Sequence, residues 1–328
     1  MSALGNSYVG SRGMGALEYE PAQDVGAGQS FPVQVSELVD IAQRVLGQKA
    51  EARAQFGSKT QESYEKLIQV GTSAGGAKAK AVVAWNEATG ELRSGQVDCP
   101  AGFEHWLLKL AEVENSEHHA DRDVGRLEYA YYQMALAAGV QMMESRLLRD
   151  GDQAHFMTRR FDRVAGHKVH VATFCGIAHE DRNPPGNTHY ETLFSTARRL
   201  GLGQVELDQL YRRMVFNVLA RNQDDHSKNH AFLMDPDGTW WLSPAYDLIF
   251  SYKKDSRWVA TQQMCVNGKR DGFTLEDLTR AASAADVKHP KRIIDEVRAS
   301  LKEWRGFAQD AGLSEAQAHA IEECFREL

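Results

Sequence analysis

The sequence predicts an α+β protein of two lobes: a smaller mixed α/β lobe over residues 1–160 and a mainly helical lobe over 161–328. Three observations predict it. A chain of 328 residues can bury a large core and suits two lobes better than one. Short β-favouring runs at 81–85, 106–110 and 155–161 fall in the first half, whereas helical apolar spacing dominates the second. In the second half lies a polar stretch, NQDDHSKNHAFLMDPDGTWWLSPAYD at 222–247, too rich in acids, amides and bases to be core.

Taken in order, residues 1–31 are rich in Gly and Ser and read as loop or a poorly packed start. At 36–46, Leu38, Ile41, Val45 and Leu46 share one helical face, and Gly47 stops it. A second helix is expected at 61–70. It leads to Gly71-Thr72-Ser73-Ala74-Gly75-Gly76-Ala77-Lys78-Ala79-Lys80, where small residues let backbone N–H groups approach a phosphate and lysines add positive charge. Ordinary turns before strands have the same composition. At 106–110 one lysine, Lys109, interrupts an apolar run; an edge strand with Lys109 in water and a strand offering it to a phosphate both fit. His118, His119 and Asp121 read as a polar loop, because a zinc site needs a further spaced ligand. The helix at 123–138 carries Val124, Leu127, Tyr131 and Leu136 and ends at Gly139. Glu128 within it is either solvated or paired with Lys109. The strand at 155–161 runs into Asp162 and Arg163, and 178–190 is a Pro/Gly/Asn-rich loop.

A helix at 207–220, with Leu210, Met214, Val218 and Leu219 at core spacing, delivers the polar stretch to a fixed place. There Asp224 and Asp225 open a loop, Asn229 follows, a hairpin turns at Asp235-Pro236-Asp237-Gly238, and Asp247 lies just beyond Pro244. This order matches a kinase catalytic centre: a carboxylate for the acceptor hydroxyl, an Asn five residues on that holds Mg²⁺, and a second metal Asp past a hairpin. Phosphoryl transfer needs those residue types, since Mg²⁺ takes hard oxygen ligands and an Asn ligates without adding charge beside the phosphates. Either Asp224 or Asp225 fits as the base. His226 and His230 would share a helix face, but turn residues around them argue against a metal pair; His226 reads as organising the loop and His230 as structural. Downstream, a turn at Lys253-Lys254-Asp255 precedes a β-like run at 258–266. Helical sequence follows, with Ile293, Ile294, Val297, Leu301 and Trp304 at core spacing and Ser314 with Gln317 as a capping box.

At these residues the chain resembles the HipA-like serine/threonine kinases of bacterial toxin–antitoxin systems. Their Asp-x-His-x-Lys-Asn motif stands at Asp224-Asp225-His226-Ser227-Lys228-Asn229, and their Pro-x-Tyr-Asp element at Pro244-Ala245-Tyr246-Asp247. The resemblance selects Asp224 as the base and implies a bilobal protein-kinase-like fold. It implies ATP and Mg²⁺ as cofactors, with Asn229 and Asp247 as metal ligands and His226 and Lys228 in the catalytic loop. A Gly-rich loop resembling the family's runs from Gly75 and Gly76 to Lys80, preceded by Ser73 and Thr72 as the implied autophosphorylation positions. The family's strand lysine corresponds to Lys109, and its adenine-binding hinge to Arg160-Phe161-Asp162-Arg163, with Arg159 beside it. The segment ending in Tyr190-Glu191 is similar to one near the family's substrate entrance. Gly13-Met14-Gly15-Ala16-Leu17 resembles a stretch just before the kinase core of longer members, so a short, HipT-like form lacking the N-terminal subdomain is expected. The implied partners are a HipB-like helix-turn-helix antitoxin, a separate small HipS-like protein equivalent to the missing subdomain, and a protein substrate such as an aminoacyl-tRNA synthetase.

Bulk properties set further bounds. With 38 basic and 45 acidic residues the net charge is −7, which argues against direct binding to nucleic acid and leaves DNA contact to the antitoxin. Cys99, Cys175, Cys265 and Cys324 show no Cys-x-x-Cys spacing and read as free thiols. With no apolar leader or membrane-length run, a cytoplasmic protein is expected. Two other classes compete with a protein kinase: a small-molecule phosphotransferase using the same Asp/Asn/Asp arrangement, and an inactive antitoxin-binding co-repressor.

Overall fold

The computed structural model describes residues 10–20, 30–47, 79–96, 98–111, 123–181 and 183–328. Its chain forms two compact units, one running up to Arg126 and including Glu144–Val169, the other comprising Leu127–Met143 and His170–Leu328. A single boundary at 160 was expected; the chain instead crosses more than once. Strand pairing is the reason. Residues 144–169 supply strands to the sheet begun by residues 80–109, while most of the intervening helix puts its apolar face into the second core.

The first unit is an antiparallel sheet with one helix. Helix α1 (Val35–Gly47) buries Leu38, Val39, Ile41 and Ala42 among the inward residues of β1 (Lys80–Trp85), β2 (Leu92–Ser94) and β3 (Glu104–Lys109). With β4 (Ser145–Asp150) and β5 (Gln153–Arg159) the sheet order is β2-β1-β3-β5-β4. β3 is therefore central, and Lys109 pairs in register with Lys80 on one side and Phe156 on the other. A two-stranded ribbon, β6 (Arg163–Val164) and β7 (His167–Lys168), follows. The expected helix at 61–70, the polar loop at 118–121 and the Gly-rich residues 71–78 lie outside the described residues.

The glycine-rich start is not a loose one where it is described. Asp162, 3% exposed, accepts two bonds from the Arg160 guanidinium (2.9 and 2.8 Å), one from Arg163 (3.0 Å) and one from the Gly15 amide (2.7 Å). Arg163 also donates to the carbonyls of Gly13 and Gly15. Gly15 has φ 73°, a conformation that favours glycine. Burial alone would raise the Asp162 pKa, but the two guanidinium charges and the hydrogen bonds hold it below the ordinary carboxylate value.

The second unit is mainly helical. The chain joins it within α2 (Val124–Ala137), whose Ala130, Tyr131, Met134 and Ala135 are part of its buried core. Strand β8 (His170–Thr173) leads into the short α3 (Phe174–Ala178), then α4 (Tyr190–Arg199) and α5 (Gln204–Leu219). The hairpin β9 (Ala231–Met234) and β10 (Trp240–Leu242) forms as expected, its turn held by Asp235 Oδ1 accepting from the Asp237 and Thr239 amides. Strand β8 adds on the other side of β9. Helices α6 (Leu275–Ala284), α7 (Pro290–Lys302), α8 (Trp304–Ala311) and α9 (Glu315–Glu322) complete the unit, and Ser314 with Gln317 forms the capping box. Trp304 sits edge-on to Tyr131 and Phe325 and donates its indole N–H to Ala318.

The run at 258–266 is not a strand. Its backbone donors go to side-chain and loop acceptors: Gln263 N to Asp225 and Cys265 N to Thr188 O. The β-favouring residues are there, but a buried carboxylate competes with a ladder and prevails.

Replacing Asp162 by Asn leaves two buried guanidiniums short of a counter-charge and is expected to cost about 3–5 kcal/mol. The stabilisation from the depressed pKa is full above the unfolded carboxylate value, about 3.9, and is lost as pH falls through the lower folded value. Urea midpoints at pH 6 and pH 3 should therefore lie farther apart in the wild type than in Asp162→Asn.

Candidate active site

Helix α5 delivers the acidic loop through a buried apolar face of Leu207, Leu210, Met214, Val218 and Leu219. It ends at Ala220, and Arg221 takes φ 56° to turn the chain. Arg221 is held by stacking over Tyr252 (4.6 Å) and by donating Nε to Cys324 O (2.7 Å). The next residues alternate. Gln223 (0% exposed) and Asp225 (1%) point inward, whereas the Asp224 side chain between them is 46% exposed.

Asp225 is the inward anchor. Its Oδ2 accepts the Tyr190 hydroxyl at 2.8 Å, and its Oδ1 the Gln263 amide at 2.8 Å. Tyr190 Oη accepts from Asn217 Nδ2 (3.0 Å), Asn217 Oδ1 accepts from Asn222 Nδ2 (2.9 Å), and Gln262 Nε2 donates to Asn222 O (3.0 Å). Burial raises the Asp225 pKa, because these partners are neutral. Asp225 is thus a framework residue, and Asp224 is the carboxylate presented outward.

Around Asp224, His226 Nε2 lies 4.0 Å from Oδ1, and Asn229 Nδ2 donates to the Asp224 carbonyl at 2.9 Å. Residues Ser227–Asn229 form a 3₁₀ turn pinned by Ser227 Oγ to Glu180 O, and Lys228 is exposed. His230 is buried edge-on to Tyr190, and burial with the nearby Arg213 and His226 charges pushes its pKa down to about 3, so it is neutral. Asp247 has φ 59°, an uncommon value for a residue with a side chain. Its segment is fixed by Arg213 donating to Ser243 O (2.6 Å), by Ala245 N donating to Gln141 O (2.8 Å), and by the Tyr246 hydroxyl donating to Lys228 O (2.7 Å). That last bond ties the Asp247 segment to the Asn229 turn.

The donor set fits Mg²⁺. With Asn229 Nδ2 on a backbone carbonyl, Oδ1 remains for a cation, and Asp247 adds a carboxylate. Among the described residues no three His, Cys, Asp or Glu side chains converge. Mg²⁺ does not require such a cage, since it usually binds one or two side-chain oxygens plus phosphates and water.

In the first unit, Lys109 is 9% exposed and lies over the Phe156 ring at 5.7 Å, and Lys80 is 6% exposed. A lysine in water on an edge strand is therefore not what β3 contains. Arg159 is half-buried and bonds Glu104 at 3.0 Å, and Phe161 is half-buried. The Asp162 carboxylate is fully engaged by Arg160, Arg163 and Gly15, so its side chain serves the framework. In the second unit Glu128 is 5% exposed, which removes the solvated reading. Gly75, Gly76, Ser73 and Thr72 lie outside the described residues. Sequence reasoning did not foresee Asn217, Gln223, Gln262, Arg213 or Arg326. The available signal was polar residues interrupting apolar helical periods, as Asn217 does between Met214 and Leu219.

Comparison with known proteins follows from this geometry. The sequence profile of the HipA-like C-terminal domain matches residues 72–305, well over half the chain, and the chain belongs to that family. A Sinorhizobium fredii protein named "Putative kinase Y4dM" is 28% identical over 218 residues, covering 61% of this chain and 50% of that protein. The chain thus aligns with about half the length of this curated relative. Among solved structures, HipA of Shewanella oneidensis MR-1, in complex with HipB and operator DNA, superposes with a TM-score of 0.63 at 15% identity, over 94% of this chain and 73% of that one. The fold is accordingly the kinase-like α+β fold. Among the described residues no helix is long and apolar enough to cross a membrane, and all four cysteines are free thiols.

Tyr190→Phe removes the hydroxyl that joins Asp225 to Asn217 and leaves both buried groups short of a partner. A loss of about 1–3 kcal/mol is expected by chemical denaturation, with Ser227→Ala, whose single bond is to a loop carbonyl, costing less.

Proposed function

We propose that this chain is an ATP-dependent serine/threonine protein kinase of the HipA-like toxin type. The observation that carries the reading is the loop itself. One outward carboxylate, Asp224, is flanked by two clamped inward residues, and a hydrogen-bonded turn joins it to an amide and a second carboxylate suited to Mg²⁺. In this reading Asp224 orients the acceptor hydroxyl and takes its proton, a contribution of about 10²–10⁴-fold. Asn229 and Asp247 hold Mg²⁺, which when bound neutralises phosphate charge. Lys228, exposed in the same loop, stabilises charge on the transferred group, His226 organises the loop, and Lys109 contacts phosphates. Gly75, Gly76 and Lys80 contribute the phosphate-binding loop, and backbone groups around Phe161 the adenine contact. Ser73 or Thr72 is the site of self-modification.

The partners follow the family. HipA of S. oneidensis was solved with HipB and operator DNA. By analogy this chain binds a helix-turn-helix antitoxin and reaches DNA through it, with a separate HipS-like protein as a second partner. The substrate is a translation component such as an aminoacyl-tRNA synthetase, and the site of action is the cytoplasm.

Incubation with Mg-ATP is expected to add phosphate mass to the wild type, mapping to Ser73 or Thr72, and to leave Asp224→Asn unmodified. The rate should fall by about 10²–10⁴-fold in the variant. Absence of both phosphate gain and ATP binding in the wild type would remove the kinase reading in favour of a co-repressor.

A further inference from the structure

The residues that hold Asp224 outward do not all belong to the region matched by the family. Arg326 lies beyond residue 305, near the end of the sequence, yet its side chain, 6% exposed, reaches the base of the acidic loop. Nη2 donates to Gln223 Oε1 (2.7 Å) and Asp271 Oδ1 (2.8 Å), and Nη1 to Gln262 Oε1 (2.9 Å) and Val218 O (2.7 Å). Its own amide donates to Leu219 O (2.9 Å), and its guanidinium stacks over Phe273 at 5.0 Å. All of these acceptors except Asp271 bear on the loop. Val218 and Leu219 are the last turn of α5, Gln223 immediately precedes Asp224, and Gln262 holds the Asn222 carbonyl.

Gln223 consequently has both ends of its amide held. Its Oε1 accepts from Arg326 and Arg221 (3.0 Å), and its Nε2 donates to Val259 O (2.9 Å). The terminal segment is fastened in turn, with Arg221 donating to Cys324 O and Arg298 to Leu328 O. A planar guanidinium with several donors suits this arrangement; a lysine ammonium has three donors and no planar fork.

We propose that Arg326 is a positioning residue for the phosphoryl-transfer reaction: it locks Gln223 and Gln262 and thereby fixes the direction in which Asp224 projects. The proposal rests on the kinase reading for its catalytic consequence, but the lock itself does not. A misplacement of about 1 Å at a catalytic group costs about 10²-fold in rate. Asp224 is set by its two inward neighbours, so loosening Gln223 moves it, whereas Asp225 retains Tyr190 and Gln263.

The experiment uses the full chain and the variants Arg326→Met, Arg326→Lys and Asp271→Asn. ADP formation from Mg-ATP, affinity for Mg-ADP, and amide hydrogen exchange across residues 222–229 are measured well below each melting temperature. For Arg326→Met, kcat is expected to fall about 10²-fold with KM for ATP and Mg-ADP affinity within about twofold, while loop exchange rises about tenfold or more. Arg326→Lys should recover part of the rate, and Asp271→Asn, which leaves the Gln223 and Gln262 bonds in place, nearly all of it. An unchanged kcat overturns the proposal, as does a fall in rate matched by a fall in nucleotide affinity and folded fraction. If the wild type binds nucleotide yet forms no ADP and gains no phosphate, the kinase reading fails, and exchange alone decides the lock: unchanged protection at 222–229 in Arg326→Met rejects it, and lost protection upholds it.

Discussion

The second unit is organised around a carboxylate that reacts with nothing. Asp225 is buried and hydrogen-bonds Tyr190 from α4 and the Gln263 amide from the loop beyond the hairpin, while its chain neighbour Asp224 projects outward. A buried acid is costly unless each oxygen is satisfied. Satisfying this one forces α4, the end of α5 and the segment at 262–264 into one register. The polar chain Tyr190–Asn217–Asn222–Gln262–Arg326 extends that constraint through the interior. In a low-dielectric interior such a connected network favours one arrangement over its near alternatives.

The two units satisfy buried carboxylates by opposite means. Asp162 is met by two guanidiniums, which keep it ionised and fasten the Gly13–Gly15 carbonyls and amide to the sheet. Asp225 is met by a phenol and backbone amides, which hydrogen-bond it without offsetting its charge, so burial lifts its pKa. The first device anchors a glycine-rich segment that lacks apolar side chains of its own. The second allows an acidic loop to carry one carboxylate inside and one outside in consecutive positions.

Much of this architecture was legible in the sequence, and the exceptions are instructive. Helical spacing located α1, α2, α5 and α7, and Asp235-Pro236-Asp237-Gly238 located the hairpin turn, because those signals are local. The run at 258–266 misled, since β propensity describes a fit to a ladder and this backbone is taken by Asp225 and Thr188 instead. The boundary at 160 differed for a similar reason: β4 and β5 pair with β3, a non-local choice that no composition shift marks.

The sequence by itself determined the family and the order of Asp224, Asn229 and Asp247, since those motif residues lie close together and their spacing survives without coordinates. Only the tertiary structure decided which aspartate faces outward, that Lys109 lies in a central strand, and that Arg326 meets Gln223 across 103 residues. Partner choice over such separations depends on where burial leaves a polar group needing one. That need is created by folding and is not written in any local pattern.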